Sequence, residues 1–155
     1  MAFNQKLPML PTAAICTILA SIPDSAIQEA LSAVESGHND RALGKAQEVT
    51  RYQIKPEVWR RWHGRDPTNP VEAWRVASNE LRMRLQSLQD QSWMQGKRVS
   101  PSMAYAAWNA PHALYVAQGD VSRLPTRVVR IRCERFQNLV LDLAKAREQR
   151  GATSP

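Results

Sequence analysis

The chain of 155 residues is 43% apolar and 23% charged, which is typical of a globular protein and excludes the composition of a disordered one. Its 21 basic and 14 acidic residues give a net charge of +7, which favours a negatively charged partner. Two cysteines without metal-ligand spacing argue against a structural zinc site, and no apolar run reaches the ~20 residues that span a bilayer.

The first 37 residues predict two helices. The apolar run at residues 12–21 predicts the first of them. Ser25 and Gln28 have the spacing of a capping box, which predicts that a second helix begins there. Gly37 predicts the end of that helix, because glycine accepts the left-handed backbone conformation that closes many helices.

Two further helices are predicted between residues 40 and 63. Asp40 is a favourable capping residue for a helix that runs to about Thr50. Pro56 suits the first turn of a short helix that ends near His63, because the amide hydrogen that proline lacks has no helical partner at that position.

A long helix is predicted from residue 70 to about residue 95. Asn69 is a capping residue, Pro70 is favourable in the first turn, and Glu72 completes a capping box. The helix should present one apolar stripe to the core, formed by Trp74, Ala77, Leu81, Leu85 and Leu88.

The last third of the chain predicts two short helices and one long one. Ser100-Pro101 and Ala110-Pro111 indicate short helices at residues 103–108 and 112–117. A long helix is expected at about residues 126–150, although the alternation in residues 127–133 also fits a short strand. Its apolar face should contain Val129, Cys133, Phe136, Val140 and Leu143.

These elements predict an all-α fold, a compact bundle of about seven to eight helices in one domain at residues 1–150. Gly151 should end the last helix, and residues 151–155 should form a frayed tail. Ile131 and Leu141 lie off the main apolar face of that helix. We expect them to form a second internal packing face, and an exposed surface for a partner is the alternative.

The strongest positive feature is the segment Arg51–Arg65, which has five basic side chains and one acidic side chain. On a helix that begins at Pro56, Trp59 and Trp62 share one side, and the arginines project from the other. An ordinary amphipathic helix with a solvated arginine face is the alternative. Because arginine donates two hydrogen bonds to a phosphate, the candidate binding residues are Arg51, Lys55, Arg60, Arg61 and Arg65.

A second basic cluster lies between residues 123 and 135. Helical spacing groups Arg123, Arg127 and Arg130 on one side, opposite the apolar face. The alternative is that these arginines form ion pairs with neighbouring helices. The candidate phosphate contacts of this cluster are Arg123, Arg127, Arg130, Arg132 and Arg135.

No motif for catalysis is present in the sequence. There is no phosphate-binding loop, no nucleophile elbow and no metalloprotease motif. His38, His63 and His112 are isolated from one another along the chain. We therefore expect a protein that is not an enzyme, with no catalytic residues, no cofactor and no metal.

Residues 40–67, which include Ile54-Lys55-Pro56-Glu57-Val58-Trp59-Arg60-Arg61-Trp62-His63-Gly64, resemble the helix-turn-helix of small bacterial and phage DNA-binding regulators. The resemblance covers less than a fifth of the chain. It implies that the second helix faces a DNA groove or its phosphates through Lys55, Glu57, Arg60 and Arg61.

The sequence thus favours a cytoplasmic protein that binds the phosphate backbone of nucleic acid, DNA rather than RNA, and does not contact a membrane. A small helical subunit of a larger nucleoprotein or mobile-element complex is one alternative. An adaptor that uses the same arginines to bind an acidic protein is another. A homo-oligomer is compatible with each of these hypotheses.

Overall fold

A computed structural model describes residue 19 and residues 22–152 of the chain. Helices dominate this part of the chain, which confirms the all-α prediction. The predicted count of seven to eight was wrong for the described residues, and the helix predicted at residues 12–21 lies outside them, apart from Leu19. The six α-helices are α1 (Asp24–Ser36), α2 (Pro56–Arg61), α3 (Pro70–Gln89), α4 (Pro101–Asn109), α5 (Pro111–Val116) and α6 (Arg127–Ala152).

The short helix α4 lies at the centre of the packing. It contacts α3, α5 and α6, and α1 packs against α6 as well. The run from Ala104 to Ala107 is buried throughout, because alanines let the neighbouring helices approach closely. The ring of Tyr105 lies 5.4 Å from the ring of Phe136 on α6. None of the helices in this part of the chain is long and apolar enough to cross a membrane.

Helix α1 begins one residue earlier than predicted. Pro23 occupies the capping position without a side-chain hydrogen bond, and Ser25 lies inside the first turn, so the predicted capping box was wrong. Gly37 ends the helix in the left-handed conformation, with a φ of 64°, as predicted.

Helix α3 begins at Pro70 as predicted, but the predicted capping box was wrong, because the Glu72 carboxylate accepts from the amides of Arg65 and Asp66. The Asn69 side-chain oxygen accepts hydrogen bonds from the amides of Val71 and Glu72, at 3.0 and 3.2 Å. The predicted end near residue 95 was wrong, because α3 ends at Gln89 and a 3-10 turn at Ser92–Met94 follows. That turn places Met94 in the core, where its side chain is fully buried.

Helix α6 begins at Arg127 and contains all of residues 127–133, so the strand alternative for these residues is excluded. Cys133, Phe136 and Val140 are buried, which confirms the predicted apolar face. The helix continues through Gly151, so the predicted stop at that residue was wrong. The remaining tail, residues 153–155, lies outside the described part of the chain.

The segment between α1 and α2 is not helical, so the helix predicted from Asp40 to Thr50 was wrong. Val49 and Ile54 instead form an antiparallel bridge, in which each amide donates to the carbonyl of the other at 2.8 Å. Burial alternates along this stretch: Thr50, Tyr52 and Ile54 are buried, whereas the residues between them are only half-buried. A helix-turn-helix needs two helices. In residues 40–67 the structure contains one helix before Pro67, namely α2.

Candidate functional site

A buried carboxylate holds the tryptophan- and arginine-rich end of α2 against α3. Glu80 is 2% exposed and accepts hydrogen bonds from Arg61 Nη1 at 3.2 Å and from Trp62 Nε1 at 2.8 Å. Its other oxygen accepts from Arg84 Nε at 2.8 Å. Arg61 therefore takes part in an internal ion pair, as the alternative interpretation of these arginines implies.

Arg84 extends the same network to the end of α4. Its Nη1 donates to the carbonyl oxygens of Ala107 and Trp108, and the guanidinium lies 5.4 Å from the centre of the Trp108 ring. The last carbonyls of a helix favour a nearby cation. Sequence reasoning missed Glu80 and Arg84, although a Glu and an Arg at i,i+4 spacing beside an apolar stripe were a usable signal.

Arg51 pairs with Asp40 through two hydrogen bonds of 2.6 Å, in the fork geometry that arginine forms with a carboxylate. The hydrogen bonds from Arg51 hold the pKa of Asp40 below its usual range. The carbonyl oxygen of Arg51 also accepts from the Ser36 hydroxyl at 2.8 Å. Arg51 thus fastens the segment after α1 to the end of α1.

The two tryptophans at the end of α2 pack against the hydrophobic core. Val58 is buried, and Trp59 and Trp62 pack partly buried against the core, as predicted for this face. The Trp59 ring lies directly against Gly64, and a Cβ atom at position 64 would overlap the indole.

Four predicted binding residues of the first segment are exposed, and they divide into two kinds. Arg61 is exposed, but its guanidinium is paired with the Glu80 carboxylate. The other three exposed cations are Lys55, Arg60 and Arg65.

The second cluster is also divided between internal and exposed roles. Arg130 Nη1 donates to the carbonyl of Leu124 and so closes the turn before α6. Arg123 lies in the 3-10 turn Val121–Arg123, so the prediction that it shares a helix face with Arg127 was wrong. The exposed members of the cluster are Arg123, Arg127 and Arg135.

The apolar residues beside this cluster face outward. Ile131 is 51% exposed and Leu141 is 41% exposed, so the prediction of a second internal packing face was wrong. Val128 is exposed on the same helix.

A cavity of about 480 Å³ brings the two basic segments together. It lies between the segment after α1 and the ends of α1 and α4, with α2, α3, α5 and α6 each contributing to its wall. Lys55 comes from the first predicted cluster and Arg132 from the second. Its charged lining consists of four cationic side chains and two carboxyl groups, namely Lys45, Lys55, Arg84, Arg132, Glu35 and Glu48.

The two carboxyl groups of the cavity are held differently. The Glu48 carboxylate accepts the amide of Ala46 at 2.9 Å. Burial raises the pKa of Glu35, whose Oε1 atom is buried beside the Tyr105 hydroxyl. Tyr105 and Arg132 lie around this carboxyl group and oppose that rise.

Two side chains with reactive groups, those of His38 and Cys133, lie in structural surroundings. Within the part of the chain that the structure describes, no group of three or more His, Cys, Asp or Glu side chains is placed to hold a metal ion. The Ser32 hydroxyl lies 2.8 Å from His38 Nδ1, and the His38 amide also donates to the Ser32 carbonyl, so this contact closes the end of α1. The Cys133 thiol is buried, which raises its pKa to about 11 and disfavours a reactive thiolate.

No protein-family model, no curated protein and no solved structure matches the chain. A functional proposal therefore depends on the chemistry of the cavity and of the surface.

Proposed function

We propose that the protein binds nucleic acid through its phosphate groups and does not catalyse a reaction, with DNA favoured over RNA. The observation that carries the proposal is the convergence of Lys55 and Arg132, from two segments distant in sequence, on one cavity. Lys45 adds a further cation to that lining, and Arg84 adds a guanidinium that already binds Glu80 and the end of α4. Clustered cations beside a concave surface raise the local concentration of a polyanion and accelerate its association.

Exposed cations extend the proposed surface beyond the cavity. They can approach phosphates without breaking an internal ion pair, and each contact of this kind releases counterions from the nucleic acid. The proposed outer contacts are Arg60, Arg65, Arg123, Arg127 and Arg135.

The remaining predicted binding residues have a supporting role in this proposal. Arg51, Arg61 and Arg130 each bind a carboxylate or a carbonyl of the protein itself. Their guanidinium groups have fewer free donors for phosphate, and we expect them to hold the backbone that carries the exposed cations.

The proposal is tested by fluorescence anisotropy with a labelled DNA duplex, a labelled DNA strand and an RNA strand of the same sequence, each at two salt concentrations. We expect binding that weakens as salt rises, with a slope set by the number of phosphates contacted. Absence of binding to every probe, or affinity that is independent of salt, would refute it.

A matched pair of variants locates the interface. Lys45→Gln with Lys55→Gln removes two cations from the cavity, and Lys97→Gln with Arg98→Gln removes two exposed cations that do not line it. We expect the cavity variant to bind about tenfold more weakly and to lower the salt slope by about 2. An equal loss in both variants would show that only the net charge matters.

The two alternative hypotheses make a different prediction. A subunit of a larger complex or an adaptor for an acidic protein would bind these probes weakly when alone and would elute with its partner in size-exclusion chromatography. The same cavity variant would then weaken the protein complex.

A further inference from the structure

The residues that line the cavity differ in burial and in polarity. Three apolar lining residues are buried, and we call them the floor of the cavity: Ile54, Val58 and Trp108. Such a floor suits a flat apolar group, because its contact area is withdrawn from water on binding.

Polar side chains form the wall above this floor. Glu35, Gln53 and Arg132 are half-buried and can donate or accept hydrogen bonds. Glu35 lines the cavity with part of its side chain, while its buried Oε1 atom lies beside the Tyr105 hydroxyl.

The rim is exposed and cationic. Lys45 and Lys55 lie there, together with the exposed side chains of Leu43 and Asn109. A ligand that fits all three levels has a flat ring, hydrogen-bonding groups on the ring edge, and an anionic group at the opposite end. A nucleotide has these three parts in this order.

The size of the cavity decides between a paired and an unpaired nucleotide. A volume of about 480 Å³ lies within the usual range for a pocket that holds one small molecule. A double helix cannot enter it, because the major groove alone is about 12 Å wide. A base must therefore leave its stack, or come from a strand end, before it reaches the floor.

We infer that the cavity binds one unpaired nucleotide of a nucleic-acid strand, with its phosphate near Lys45 and Lys55 and its base beside Trp108 and Glu35. This inference rests on the proposed function and specifies the form of nucleic acid that is bound. The exposed arginines contact the backbone of the adjoining strand or duplex.

The test compares a blunt DNA duplex with the same duplex carrying a short single-stranded overhang, by anisotropy at one salt concentration. We expect the overhang to bind about tenfold more tightly, which is the effect of one stacked base. Nucleoside monophosphates should displace the overhang probe more readily than the blunt probe, because only the overhang places a nucleotide in the cavity.

Two substitutions on α1 assign the preference to the cavity. Glu35→Leu removes the hydrogen-bonding group at the wall, and Glu29→Leu makes the same change at an exposed position that does not line the cavity. Both remove one carboxyl group from α1, and a general change in affinity cancels in the ratio of overhang to blunt binding. We expect that ratio to fall several-fold in Glu35→Leu and to stay unchanged in Glu29→Leu.

The outcomes separate the two proposals. If no probe binds with a salt dependence, the proposed function fails. If both duplexes bind equally, or if Glu35→Leu keeps the full preference for the overhang, the nucleotide site is overturned while nucleic-acid binding stands. If Glu35→Leu does not fold, as judged by circular dichroism, the comparison of duplexes and the displacement by monophosphates in the unmodified protein still decide.

Discussion

The segments 51–65 and 123–135 carry the same net charge of +4 in the sequence, yet the fold uses that charge differently. In the first segment, Arg51 and Arg61 are paired with carboxylates of the protein. In the second, the internal contact of Arg130 is with a backbone carbonyl, and Arg127 and Arg135 are exposed.

The carboxylates that pair with the arginines of the first segment lie far from those arginines along the chain. Asp40 lies 11 residues before Arg51, and Glu80 lies 19 residues after Arg61. A local count of charges therefore overestimates the cations that this segment offers to a ligand. Three perturbations probe the contrast between the two segments, and we expect their effects on stability to decrease in the order given.

The largest effect is expected from Glu80→Ala. This change leaves Arg61, Arg84 and the Trp62 indole without their shared acceptor in a buried position. Breaking a buried ion pair from one side leaves an uncompensated charge, so we expect the free energy of unfolding to fall by about 3 kcal/mol. Urea denaturation followed by circular dichroism measures this loss.

Glu57→Ala is the matched control for that experiment, because Glu57 is an exposed glutamate on α2. We expect it to change the free energy of unfolding by less than about 0.5 kcal/mol. A similar small loss in Glu80→Ala would show that the network around Glu80 does not hold α2 in place.

A smaller effect is expected from Asp40→Asn, which breaks the pair with Arg51. Both side chains are partly exposed, so the loss at pH 7 should be about 1 kcal/mol. Because the pair lowers the pKa of Asp40 in the folded protein, its contribution is present above the unfolded pKa and is lost as the pH falls through the folded pKa. Urea titrations should therefore show a difference at pH 7 that disappears well below pH ~4. A difference that persists at low pH would assign the effect to the hydrogen-bond geometry of the asparagine.

Local signals in the sequence were sufficient for most helices. Asn69 and Ser100 cap α3 and α4, as the dipeptides with Pro70 and Pro101 predicted. Such signals depend on residues within one turn of each other, and they are therefore readable without knowledge of the fold.

The segment after α1 could not be predicted in the same way. Asp40 resembles a helix cap, but its carboxylate pairs with Arg51, and this contact depends on the return of the chain at residues 49–54. The alternation of Thr50, Tyr52 and Ile54 was the available signal for an extended segment. It was outweighed by the capping pattern at Asp40.

The candidate site was only partly predictable for a related reason. Lys55 and Arg132 were identified as cations, but their convergence on one cavity depends on how α2 and α6 pack around α4. Lys45 and Arg84 were missed because each stands outside the two charge clusters. A cavity assembled from six helices and a loop leaves no continuous motif in the sequence.

The smallest effect on stability is expected from Arg127→Gln combined with Arg135→Gln. Both arginines are exposed on α6, so the free energy of unfolding should change by less than about 0.5 kcal/mol. Arg127 lies in the first turn, where a cation opposes the helix dipole, so its removal should act in the stabilising direction. The same variant should lower the salt slope of nucleic-acid binding, because each lost phosphate contact reduces it by about 1. Urea denaturation and anisotropy on the same preparation separate the two effects. A large loss of stability would mean that the arginines of the second segment support the fold as strongly as those of the first, and the contrast between the two segments would then fail.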